Sequence, residues 1–207
     1  MLISDIHQTS PGRLTVCFSD GTQVKSTLGV VTDMRLYSGR ELGGADVNEL
    51  KAASIKALAR EKALEYLSRR QMSCVELKKK LVDKGEDEDV ADYCVQWLAE
   101  HSLIDDASYA AAVSRHYAAK GYGAGRIRAE LSRRGIAREL WDDALDAAPE
   151  SSDKIDKFIS ARLKDPGDRD AVRKLTQALY RRGYSWEEIR RALDRHKAGT
   201  DFYEQST

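Results

Sequence analysis

Cysteine, histidine and charge of one prevailing sign are all scarce in this chain of 207 residues, and each scarcity closes off a class of protein. The three cysteines, Cys17, Cys74 and Cys94, are odd in number and lack metal-ligand spacing, which suits a reducing compartment, the cytoplasm, better than a disulfide framework. Cys74 and Cys94 are expected to face inward as small hydrophobes. The four histidines (His7, His101, His116, His196) are scattered, and no two flank a carboxylate at i and i+4, so no zinc site is expected. No apolar run approaches the roughly 18 residues of a membrane span. The N-terminus also lacks the charged and apolar regions of an export signal. Lys+Arg and Asp+Glu both total 34, so no global field draws the chain onto nucleic acid or membrane, and any attraction must be regional. The basic end is the C-terminal one: residues 151–207 carry 13 cations against 10 anions, whereas residues 1–50 carry 4 against 6.

Chemistry is equally scarce. No nucleophile, base and orienter set can be assembled. Asp105 and Asp106 are adjacent, and their side chains diverge at a helix start, where capping is the expected role. The run Gly121-Tyr122-Gly123-Ala124-Gly125 has neither the Lys-Ser/Thr nor the preceding strand of a phosphate loop. Neither an enzyme nor a cofactor is expected.

What the chain does contain is a repeat. Residues 127–136 (Ile127, Leu131, then Gly135) have relatives at residues 77–85 (Leu77, Leu81, then Gly85) and 175–183 (Leu175, Leu179, then Gly183). In each, two apolar residues four apart share a helix face, and a glycine four further on supplies the left-handed residue that closes a helix. The glycines fall 50 and then 48 residues apart, a period typical of repeat architectures. Capping boxes at Ser73–Glu76 and Ser185–Glu188 open helices, and Asp105 or Asp106 opens another. The glycine run at 121–125, Pro149 and Pro166-Gly167 punctuate the pattern.

The expected fold is mainly α, in tandem three-helix repeats forming an elongated, curved array behind a small β-rich N-terminal domain. Residues 1–51 supply the latter, with strands near 2–7, 13–18 and 22–26, an Asp20-Gly21 hairpin, a helical turn over 28–36 and a second short helix from Asp46. The repeats span 52–104, 105–149 and 150–197, with helices near 54–71, 74–84 and 88–101, near 106–120, 125–134 and 138–147, and near 152–163, 168–182 and 186–197. Each repeat is too small to bury much alone, so neighbours are expected to pack through shared apolar faces. A loose tail is expected over 198–207.

The register aligns charges. One residue before the first apolar position stand Glu76, Arg126 and Lys174; six after it stand Asp83, Arg133 and Arg181; seven after it stand Lys84, Arg134 and Arg182. With Arg128 these predict a basic ridge on the second and third repeats, able to meet phosphates or an acidic protein surface. The alternative is a solvated face whose cations complement the helix dipole. Trp97, Trp141, Tyr184 and Trp186 are spaced like core anchors, with a stacking surface for bases as the alternative.

Tyr66-Leu67-Ser68-Arg69-Arg70 ahead of Ser73-Cys74-Val75-Glu76-Leu77, then Leu103-Ile104-Asp105-Asp106, then residues 127–136, then Arg181-Arg182-Gly183-Tyr184-Ser185, together resemble the bacterial RecX regulatory proteins. The resemblance covers about residues 55–196, and one departure is Ser102, where the family often has glycine. It implies a monomeric, noncatalytic modulator that lies in the groove of the RecA–DNA filament and restrains strand exchange, ATP hydrolysis and the co-protease activity behind the SOS response. DNA would then be met weakly or through RecA, and Arg126, Arg128, Arg133, Arg134, Lys174, Arg181 and Arg182 would carry the docking. A helical protein acting directly on DNA is the alternative.

Overall fold

Val16, Phe18 and Val24 point to one side of a short antiparallel meander, β1 (Ile3–Ser10), β2 (Arg13–Phe18) and β3 (Gln23–Thr27), in the spatial order β1-β2-β3. Val16 stands opposite both Ile6 and Val24. Gly21 closes the second hairpin at φ 86°, beside an Asp20 carboxylate that accepts the Thr22 N–H at 2.9 Å. A short helix α1 (Leu28–Asp33) follows, capped by the Thr27 hydroxyl. The computed structural model describes residues 1–149, 152–165 and 167–204, with side chains to residue 197.

Helix α2 (Gly44–Arg69) corrects the sequence reading. It runs unbroken for 26 residues, so the short helix expected from Asp46 and the long one from residue 54 are one, and the 51/52 boundary lies inside it. Its first half (Val47, Leu50, Ala57) closes the core of the sheet with Ile3, Val16, Phe18 and Leu42. Its second half (Ala59, Ala63) closes a separate core with Leu77, Leu81, Ala91, Cys94 and Leu98 from α3 (Cys74–Asp83) and α4 (Glu88–Glu100). Cys94 is wholly buried, and burial pushes its thiol up to about 11.

By contact the chain forms two compact units, Met1–Ile104 and Asp105–Thr207. The second holds α5 (Asp106–Ala119), α6 (Ala124–Arg133), a 3-10 turn (Arg138–Leu140) leading into α7 (Trp141–Asp146), then α8 (Ser152–Ser160), α9 (Arg169–Arg181) and α10 (Trp186–Glu204). Helix α10 continues seven residues past the expected start of the loose tail, and residues 205–207 of that tail lie outside the described residues, as does Pro166. The Ser73–Glu76 and Ser185–Glu188 boxes form, and Asp105 accepts the N–H groups of Ala107 and Ser108.

Gly85, Gly135 and Gly183 take φ of 92°, 68° and 89°, and each ends its helix with paired reverse hydrogen bonds, as in Ile136 N–H to Leu131 O and Gly135 N–H to Ser132 O. Ser102 does the same work after α4 at φ 55°, with Leu103 N–H bonded to Leu98 O at 2.8 Å. Each repeat has its own core: Tyr109, Val113, Ile127, Leu131 and Ile136 in the second, and Ile155, Ile159, Leu175, Leu179, Tyr184 and Ile189 in the third. The expected shared apolar face between these two is therefore corrected.

Backbone joins them instead. Gly123 and Gly125 donate their N–H groups to the carbonyls of Arg182 and Gly183, both at 2.9 Å, and the Tyr184 hydroxyl donates to Gly121 O at 3.2 Å. A Cβ at Gly123 would lie 2.5 Å from Gly183 O, and one at Gly183 would lie 2.1 Å from Arg126 N. Only glycine permits this approach.

Candidate functional site

Ile127 and Leu131 turn one face of α6 inward, which sets Glu130 on the shoulder of the core at 4% exposure. A carboxylate so placed needs partners, and the two flanking arginines at i−4 and i+3 supply them. Arg126 Nη2 donates to Oε1 at 3.1 Å, while Arg133 donates to Oε2 through Nε at 3.0 Å and Nη2 at 2.7 Å. Burial alone would raise the Glu130 pKa. Hydrogen bonds from Arg133 and Tyr117, with the charges of Arg133 and Arg126, outweigh it and hold the group below its ordinary value. The same carboxylate raises the pKa of Arg133 further.

The predicted ridge is thus differentiated. Arg126 and Arg133 share one anion. Arg128 reaches the exposed Asp142 only at 3.5 Å. Arg134 turns into its own repeat, where Nη1 meets the Tyr109 hydroxyl at 2.5 Å and the guanidinium lies 5.6 Å from the ring centroid. Arg182, at the equivalent position, lies 4.5 Å from the Phe158 centroid and 5.4 Å from that of Tyr122. Lys80 does likewise over Tyr66 at 4.1 Å in the first repeat. In all three repeats a cation of the second helix covers an aromatic ring of the first, so Arg134 and Arg182 hold repeats together.

Lys174 and Arg181 are exposed on α9, two turns apart, with no ion pair among the described residues. Arg173, next to Lys174, pairs with Asp170 at 3.1 Å. A groove of about 480 Å³ separates α6 from the α9–α10 turn, and it gathers Arg126, Arg128, Ala129, Tyr180, Arg181 and Glu188. Arg133 and Lys174 do not line it.

Three features escaped the sequence reading. Glu130 was legible as an acid spaced between two arginines. Tyr180 follows Leu179 on the outward side of α9 and stands 68% exposed. Trp186, expected as a core anchor, is 66% exposed because Tyr184, two residues earlier, fills the core position at 2%. Trp97 and Trp141 are partly buried, under Arg60 and Arg138 respectively. Among the described residues no three His, Cys, Asp or Glu groups converge to hold a metal, and no helix is long and apolar enough to cross a membrane.

Fold and site define a modular helical protein that presents cations, with the exposed aromatics Tyr180 and Trp186, on its second unit. Family models of RecX match all three triplets: the first three-helix domain at residues 59–98, the second at 105–145 and the third at 160–193. The regulatory protein RecX of Vibrio parahaemolyticus is 32% identical over 139 residues, spanning 65% of this chain and 89% of that protein. That of Pseudomonas entomophila is 32% identical over 151 residues, or 70% and 93%. That of Xanthomonas citri is 36% identical over 135 residues, or 64% and 83%. A crystal structure of regulatory protein RecX superposes with a TM-score of 0.74 at 27% identity, covering 93% of this chain and 98% of its own. RecX from Lactobacillus salivarius gives 0.62 at 25%, covering 69% and 97%. The chain belongs to the RecX family of regulatory proteins.

Proposed function

We propose that this protein binds the RecA–DNA filament in the cytoplasm and restrains RecA's strand exchange, ATP hydrolysis and co-protease activity, as a monomer without chemistry of its own. The observation that carries this reading is the set of exposed cations Arg128, Lys174 and Arg181 on a chain of the RecX family. A filament offers phosphates and acidic side chains along a helical groove, and a file of cations on rigid helices suits such a surface. Arg133 contributes less than the sequence suggests, because Glu130 already offsets it. Arg134 and Arg182 contribute through the fold rather than through contact.

Co-sedimentation of the whole chain with RecA filaments tests this. Single exposed pairs contribute little, so reversal is applied to three positions at once. The triple variant Arg128→Glu, Lys174→Glu, Arg181→Glu is expected to bind on the order of tenfold more weakly, with the loss shrinking as salt rises. Arg133→Glu alone should weaken binding less than Arg181→Glu alone. Undiminished sedimentation of the triple variant at low salt would remove the cations from the proposal.

A further inference from the structure

We infer that the groove between α6 and the α9–α10 turn is a single-stranded nucleic-acid site, with Tyr180 as the platform for a base and Arg128 and Arg181 as the groups that hold its phosphates. The inference deepens the filament reading above by naming what that face of the protein touches.

Tyr180 is the starting point. Leu175 and Leu179 supply the buried face of α9, and Tyr180 lies outside it. Among the described residues its ring makes no stacking or cation contact and its hydroxyl no hydrogen bond, so the fold leaves an open aromatic face at the groove's edge. Arg181 stands beside it, and Arg128 faces it from α6.

The groove's other features narrow the ligand. Between the arginines its lining is small, Ala124, Gly125, Ala129 and Gly183, and it carries no large aliphatic side chain of the kind on which a protein interface usually centres. Small residues beside an exposed ring leave room for a planar group. At the helix ends that open here, the N–H groups of Gly123, Gly125 and Ser185 are already taken by the carbonyls of Arg182 and Gly183 and by the Glu188 carboxylate at 2.7 Å. Glu188, the groove's carboxylate, is engaged in that capping box. The guanidinium groups are therefore the groove's charged donors for an anion. Arg126 leans on Glu130, whereas Arg128 has only a long, exposed partner and Arg181 has none among the described residues.

A ring beside two cations, in a space of about 480 Å³, matches a nucleotide of an unpaired strand. A duplex keeps its bases stacked on one another and offers Tyr180 no free face.

Fluorescence anisotropy of a labelled oligothymidylate, titrated with the full chain across a salt series, tests the site. Because stacking on one aromatic is worth about 1–3 kcal/mol per base, Tyr180→Ala is expected to weaken binding roughly 5- to 150-fold. Tyr180→Phe, which keeps the ring, should bind nearly as the parent does. Arg128→Ala with Arg181→Ala should reduce the slope of log K against log salt by about 1.4, at roughly 0.7 per phosphate on a single strand. Arg190→Ala, a cation on α10 outside the groove, should leave affinity unchanged. Thermal melting confirms that each variant folds, as expected for exposed side chains. Parent affinity in Tyr180→Ala, equal loss in Tyr180→Phe, or no binding by the parent at low salt would each overturn the inference. If the groove variants bind the oligonucleotide normally but fail to sediment with RecA filaments, the groove meets protein, and the inference falls while the filament reading stands. If they lose the oligonucleotide while the parent ignores filaments, the inference stands and the filament reading falls.

Discussion

Ser102 holds φ at 55° with a Cβ that crowds the backbone in that region, at a cost of about 1–2 kcal/mol. Its hydrogen bonds to the end of α4 are nevertheless those of Gly85, Gly135 and Gly183. Ser102→Gly should therefore stabilise the chain, by about 0.5–1 kcal/mol once glycine's greater freedom in the unfolded state is counted, read as a higher urea midpoint. A lower midpoint would mean that the serine side chain compensates its own strain. Glu130 gives the second prediction at this scale. Its pKa is depressed in the folded state, so the unfolded chain takes up the proton first as pH falls. The stability it contributes is complete above the ordinary glutamate value near 4.5 and is lost as pH drops through the lower folded value. Glu130→Gln should lose about 1–2 kcal/mol at neutral pH, a figure reduced for two arginines about half exposed, and should lack that acid-dependent increment. Urea unfolding at neutral pH and at pH values below 4.5 reads both.

Among the helices, α2 shows how one long helix can carry the sequence pattern of two. Counting about 100° per residue, Val47, Leu50, Ser54 and Ala57 cluster on one side, while Ala59 and Ala63 fall roughly half a turn away. The apolar stripe changes face mid-helix because the two halves seal different cores, and a periodicity test sees the stripe end. The glycine junction is the converse case. Spacing marked Gly183 as a helix end, but nothing in the local pattern said that this end would lie against the start of α6. Gly85 and Gly183 share a left-handed φ, yet a Cβ meets open space at the first and Arg126 at the second. Gly85→Ala should thus cost about 1–2 kcal/mol, and Gly183→Ala clearly more. Gly123→Ala should expose the junction specifically: φ there is −82°, so the backbone accepts alanine and only the close approach is lost. Hydrogen exchange should then accelerate at the amides of residues 123 and 125, with the core amides of α9 unaffected. Unchanged protection would show that the repeats meet otherwise.

Across the whole chain, the repeat was legible because three helices end by the same device at nearly equal spacing, and Leu81, Leu131 and Leu179 sit buried as the register requires. The candidate site was legible only in part. Register identifies which cations are equivalent but not which find partners within the fold. Arg134 and Arg182 cover rings of the preceding helix, and Glu130 engages two more arginines, contacts set by tertiary packing rather than helical period. On the function proposed above, the cations left exposed on the second unit dock this chain onto filaments and so slow RecA. Steady-state ATP hydrolysis by RecA on single-stranded DNA, titrated with the whole chain and with the Arg128, Lys174, Arg181 charge-reversed variant, tests it most directly. Progressive inhibition by the parent, with the variant needing on the order of tenfold more protein at low salt, is the predicted result; identical titration curves, or no inhibition by either, would contradict it.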